Sequence, residues 1–205
     1  REGLGDAAAA IQGSPRVIDL SADFRLDSTE TYAEYYGHEH YAPHLQPEAV
    51  YGLTETARDK LPDARLVACP GCYPTVAILA LAPLLAAGKI APEDIIIDAK
   101  TGVTGAGRAA KAANLFSEVS EGMHAYAIAT HRHGPEIEQE LSKAYGDKLI
   151  VNFTPHLAPM NRGILTTIYA PLAGDASQEE LLEALQAAYR EEPFVQVVSE
   201  LPATS

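Results

Sequence analysis

The stretch from Arg65 to Gly88 constrains this chain more than any other. Arg65-Leu66-Val67-Ala68 reads as a short apolar strand, and Cys69-Pro70-Gly71 as a turn. Residues 74–87 follow as a long apolar helix that Gly88 stops. Pro74 suits the first helical turn, where a missing N–H leaves nothing unsatisfied. Strands and helices alternate on both sides of this unit, which implies α/β layering.

Upstream, residues 6–11 read as the end of a helix, and Arg16-Val17-Ile18-Asp19-Leu20 as a short buried strand. Residues 28–50, rich in Tyr, His and Pro, read as a short helix and a surface loop. Downstream, Ile95 to Ala99 is a strand, 102–107 a glycine loop, and a helix runs through Ala113. Residues 124–129 predict a strand. Residues 135–145 predict a helix with Ile137, Leu141 and Ala144 on one face. Strands follow at 149–153 and 163–170. A helix at 177–190 carries an apolar stripe of Leu181, Leu182, Leu185 and Ala188, and Phe194 to Val198 closes as a last strand.

The length of 205 residues suits one large domain, or one domain plus a piece of another. No stretch is apolar enough for a transmembrane helix. The start, Arg1-Glu2-Gly3-Leu4-Gly5, has neither an initiator Met nor a signal-peptide core, and reads as lying inside a longer chain. A net charge of -13 opposes nucleic-acid and anionic-membrane binding, which need clustered Lys and Arg. It leaves room for a small anionic substrate held by one or two arginines. The two cysteines are too close to staple a fold, so a reducing cytoplasm is expected.

Cys72 sits on the turn just before the helix. There the free amides and the helix dipole favour a thiolate, so its pKa should fall, and the same amides can hold an oxyanion. The bland alternative is a structural cysteine. Cys69 and Cys72 also form a C-x-x-C, which admits dithiol exchange or half of a zinc site. His131-Arg132-His133-Gly134-Pro135-Glu136 places two histidines before a helix, whose N-terminus disfavours imidazolium. A neutral ring there suits a general base for a thiol. The same histidines could instead cap a loop, or bind a metal with His124 or Glu136. Gly102 to Arg108 follows a strand, but its G-x-x-G-x-G order is not the dinucleotide fingerprint. It reads as a tight turn presenting Arg108. Arg25, leaving a strand, is either a phosphate or carboxylate fork or an exposed residue without a role.

Together these stretches resemble one family. Val17 to Leu26 is similar to its DLSADFR segment, Val67 to Thr75 to its nucleophile signature, and Thr101 to Arg108 to its SGxSGAGR loop. Glu118-Val119-Ser120, His131 to Ile137, Phe153 to Leu157, and Arg162 to Leu165 complete the set, in order. The family is the N-acetyl-gamma-glutamyl-phosphate reductases, related to aspartate-semialdehyde dehydrogenase. The chain departs from it in carrying a cysteine at position 69, in starting after the glycine-rich cofactor loop, and in ending before the segment that frames the nicotinamide.

The resemblance implies an enzyme of arginine biosynthesis that reduces N-acetyl-glutamyl 5-phosphate to the semialdehyde with NADP(H) and releases inorganic phosphate. It implies Cys72 as nucleophile through a thioester and His131 as acid and base, with His133 the second choice. It further implies Arg25 on phosphate, Arg108 and His133 on substrate, and Ser21 on cofactor, with no metal. The alternatives are a relative acting on aspartyl or aminoadipyl phosphate, or a non-catalytic fragment. The fold implied is α/β and α+β. Residues 1–66 would be the end of a doubly wound NADP-binding domain. Residues 67–205 would be a catalytic and oligomerisation domain with a mixed, largely antiparallel sheet, giving a homodimer or homotetramer.

Overall fold

The computed structural model describes residues 16–107, 109, 111–201, 203 and 204. The helix expected at 6–11 and the expected role of Arg108 lie outside these residues. Two sheets share no strand. In the first, β1 (Val17–Asp19), β2 (Ala49–Tyr51) and β3 (Leu66–Ala68) are all parallel, in the order β1-β3-β2. The central strand buries Leu66 and Ala68 completely, against Phe24, Ala42 and Leu45. The edge strand β1 was expected to be buried, yet Ile18 is 68% exposed and Leu20 77%. An apolar run marks burial potential, and only the neighbouring layer decides whether it is used.

Between β1 and β2 runs α1 (Thr29–Tyr36), capped by the Ser28 side chain at its start and by Gly37 in the left-handed conformation at its end. A 3-10 segment, Pro43–Glu48, follows. This region is less superficial than its composition suggests, because Tyr32, His40, Ala42 and Leu45 are buried in it. A single helical turn, α2 (Thr54–Ala57), then leads to β3.

The second sheet carries the larger core. It comprises β4 (Ile95–Thr101), β5 (His124–Ala125), β6 (Val151–Leu157) and β7 (Ile164–Tyr169), in the order β5-β6-β4-β7. It is mixed: β4 and β6 run parallel, while β4–β7 and β5–β6 are antiparallel. Alternation along β4 sends Ile95, Ile97, Ala99 and Thr101 inward and leaves Ile96, Asp98 and Lys100 on the other face. The inner face is covered by α3 (Cys72–Ala86) and α5 (His133–Tyr145). The helix α3 is apolar all round, and it buries Tyr73, Ala77, Ile78, Leu81 and Leu85 between the sheet and α5. On α5, Ile137 and Leu141 are fully buried, and the expected stripe face meets this core.

Three expectations fail. Among the described residues no helix follows the glycine loop directly, and 3-10 turns form at Val103–Ala106 and Ala112–Asn114, before a single turn α4 (Phe116–Val119). The strand at 124–129 stops at Ala125, because Ala127 and Ala129 take φ of 45° and 57°, which a strand cannot contain. Residues 194–198 form no strand, and Phe194 is 92% exposed. The last helix, α6 (Gln178–Tyr189), does form behind a Ser177–Glu180 capping box. Leu181, Leu182 and Leu185 of its stripe are half-buried, Ala188 is exposed, and the buried residue is Tyr189, whose hydroxyl donates to the Leu79 carbonyl at 2.6 Å.

Candidate active site

The turn between β3 and α3 is held from several sides. The Arg25 Nε donates to the Cys69 carbonyl at 2.6 Å. The Gly71 N–H donates to Glu136 Oε1 at 2.8 Å, and the Tyr51 hydroxyl donates to the same oxygen at 2.8 Å. The Thr75 hydroxyl returns to the Gly71 carbonyl. Glu136 is 1% exposed, and its other oxygen faces Arg25 Nη1 at 3.9 Å. Burial pushes this carboxyl up, while the Gly71 amide, Arg25 and Tyr51 pull it down. Held by two hydrogen bonds to Oε1, with Oε2 buried without one, this carboxyl works as a fixed peg for the turn.

Cys72 is the first residue of α3 and opens onto a cavity of about 400 Å³. His131, His133, Arg25, Tyr73 and Tyr126 line the same cavity. One expectation is corrected here. The thiol pKa is raised, not lowered. Although the side chain is exposed to the cavity, the crowd of protein atoms around it desolvates the thiolate. The amides of Cys72 and Tyr73 and the charge of Arg25 pull the other way and lose. A helix start lowers a thiol pKa only as far as its amides outweigh the cost of desolvating the thiolate.

Both histidines are neutral near pH 7. Burial first, then Arg132, lowers His131 to about 4. Burial, His131 and the two arginines lower His133 to about 3. The direction agrees with the expectation, but desolvation is the main cause. The rings are 4.8 Å apart, and Tyr73 meets both edge-on. The His133 amide donates to His131 Nδ1 at 3.0 Å, which places the His131 proton on Nε2. The His133 ring lies against Gly71, where a β-carbon would come within 2.6 Å of Nε2. Glycine at 71 is therefore required by close approach.

The other sequence candidates are placed less simply. Ser21 does not line the cavity; its hydroxyl lies between the carboxylates of Asp19 and Asp23, and its neighbour Ala22 forms the wall. Cys69 and Cys72 are free thiols. His124 reaches the cavity, but among the described residues no group of three or more His, Cys, Asp and Glu is placed to hold a metal. The loop at 102 is packed structure: a β-carbon at Gly102 would lie 2.5 Å from the Arg162 nitrogen, and Val103 and Thr104 donate to Met160 and Asn161. Sequence reading missed Glu136 as a peg, the Tyr73–Tyr126 hydroxyl pair at 2.8 Å, and Arg132 with Tyr36 on the cavity wall. Tyr73 and Arg132 adjoin residues already singled out, and that adjacency was the available signal.

Residues 72–205 match the family model described as semialdehyde dehydrogenase, dimerisation domain. The chain belongs to the semialdehyde dehydrogenase family. The N-acetyl-gamma-glutamyl-phosphate reductase of Rhodospirillum rubrum is 60% identical over 188 residues, covering 92% of this chain and 53% of the relative. That of Afipia carboxidovorans is 56% identical over 183 residues, covering 89% and 52%. The chain thus spans about half the length of the curated relatives it matches. The aspartate semialdehyde dehydrogenase II of Vibrio cholerae superposes with a TM-score of 0.63 at 17% identity, over 90% of this chain and 58% of that one, which supports the fold. No helix among the described residues is long and apolar enough to cross a membrane.

Proposed function

We propose that this semialdehyde dehydrogenase family chain carries the reaction site of an N-acetyl-gamma-glutamyl-phosphate reductase, which converts N-acetyl-glutamyl 5-phosphate to the semialdehyde and phosphate in arginine biosynthesis. The observation that carries the reading is a cysteine at a helix start, sharing one cavity with two neutral histidines and an arginine. The identity to reductases of that name supports the substrate. Residues 1–66 are assigned to the end of an NADP-binding domain, and 67–205 to the catalytic and oligomerisation domain of a cytoplasmic homo-oligomer.

A histidine takes the Cys72 proton, and the sulfur attacks the acyl carbon. The carbon–oxygen bond to phosphate breaks, the proton leaves with the phosphate, and a thioester remains. The α3 amides hold the oxyanion at each tetrahedral stage. After reduction the carbon–sulfur bond breaks, the aldehyde leaves, and a solvent proton restores the thiol. The labour is assigned between the two rings. His131, with its Nδ1 occupied, presents a donor to the substrate oxygen. The neutral His133, against the nucleophile turn at Gly71, is assigned the thiol proton. Arg25 is assigned to the phosphate side, since its charge acts on the thiol.

Ala22, Gly105 and Ala106, small residues that line the cavity together with Cys72, would hold the nicotinamide end of NADP(H). When bound it supplies the hydride. The test is NADPH formation from N-acetyl-glutamate semialdehyde, phosphate and NADP by a polypeptide of the relatives' full length. Wild type should turn over, and Cys72→Ser should lose at least a thousandfold in rate with an unchanged melting temperature. Retention of a tenth of the rate refutes the nucleophile.

A further inference from the structure

We infer that Arg132 binds the carboxylate at the end of the substrate remote from the reacting carbonyl, and so sets which semialdehyde is accepted. The inference rests on the proposed reaction. An acyl phosphate of N-acetyl-glutamate carries two anionic groups: the phosphate on the reacting carbon and the α-carboxylate several bonds away. Among the described residues the cavity lining contains three cations, Arg25, Lys111 and Arg132, and no carboxylate. These cations therefore have an anionic guest to match.

The two arginines differ in how far they are already committed. Arg25 gives Nε to the Cys69 carbonyl and Nη2 to the Leu20 carbonyl, and turns Nη1 toward Glu136. It is fixed beside the nucleophile turn. Among the described residues Arg132 enters no hydrogen bond or ion pair; its guanidinium lies over the Tyr36 ring, 5.1 Å from the centroid. Tyr36 stacks on Tyr32 at 4.5 Å and 7°, and the Tyr32 hydroxyl donates to Asp23 at 2.6 Å. A stack anchored in this way holds the guanidinium plane while leaving its fork free, as bidentate capture of a carboxylate requires. Arg25 is the one bonded to the nucleophile turn, and Arg132 stands over Tyr36 with its fork unused, so the distal end of the substrate is assigned to Arg132.

The test uses the full-length polypeptide and the reverse reaction with NADP. Arg132→Ala should raise KM for N-acetyl-glutamate semialdehyde about 10- to 100-fold, with KM for phosphate within about twofold and kcat falling far less than KM rises. Arg132→Lys should recover part of the loss, and Tyr36→Leu should cause a smaller rise. On the α-amide of the same semialdehyde, wild type and Arg132→Ala should be equally poor. A rise in KM for phosphate overturns the assignment. So does an equal penalty on the amide, or a larger effect from Lys111→Ala. If wild type itself fails on N-acetyl-glutamate semialdehyde, the reaction reading fails first. An unchanged semialdehyde KM in an active background removes Arg132 alone.

Discussion

The two walls of the cavity are built differently. One wall is the β3–α3 turn and the start of α5, where Cys72 and His133 each begin a helix, Arg25 and His131 lie in adjoining turns, and Glu136 pins the Gly71 amide. The other wall, which includes Gly105, Ala106, Asn114, His124 and Tyr126, is made among the described residues of 3-10 turns and a two-residue strand, and beside it Phe116 is 86% exposed and Met123 56%. The first wall buries its connecting polar groups, so a change there spreads. The second spends little burial on its shape, so a change at its exposed side chains stays local. Reacting groups sit where packing fixes them to fractions of an ångström, and the surface that only excludes or admits is left to turns.

The hardest test of this contrast is Glu136→Ala. It strands the Gly71 amide and the Tyr51 hydroxyl in the interior, so unfolding free energy should drop by about 3 kcal/mol, read from urea midpoints. Glu136→Gln keeps an acceptor and should cost less than half as much. Equal stability of all three proteins would mean that the pinned wall is not pinned. Gly71→Ala comes next. Its methyl group meets the His133 ring, and the displaced ring and turn should cost about 1–3 kcal/mol, with turnover falling at least tenfold. A fully active variant would show that the ring can move aside.

The pH dependence sharpens the comparison within the first wall. Both histidines are lowered, to about 4 and about 3, so neither gains a proton between pH 5 and 8. The thiol is raised. Alkylation of Cys72 by iodoacetamide should therefore climb with pH through and beyond the ordinary cysteine value of about 8.5, with no inflection near 6.5. A plateau reached below pH 7 would show a thiolate stabilised at the helix start after all. The smallest effect is expected on the second wall. Phe116→Ala should change stability by less than about 0.5 kcal/mol, and a loss several times larger would mean that this side chain is covered in the working protein.

Much of the architecture was legible in the residues. The turn before α3, the apolar faces of α3 and α5, and the long strands β4 and β6 follow from local periodicity and from Pro and Gly, which act over a few residues. The elements that failed had the same kind of local pattern without a partner. Residues 124–129 and 194–198 look like strands, but a strand exists only where another backbone accepts its hydrogen bonds. Residues after the glycine loop look helical, but the described ones make only a 3-10 turn at Ala112–Asn114.

The sequence alone determined which side chains could react: a cysteine at a turn, a histidine pair, and arginines leaving strands. It could not determine their protonation, because that depends on how much water the fold removes around each group. Cys72 was read as an easily formed thiolate, and burial made it a reluctant one. Nor could it show that Glu136, Gly71 and His133 meet, since the residues that touch there come from elements far apart in the chain. Residue type sets what chemistry is possible; distance and desolvation, which only the folded chain supplies, set what each group does.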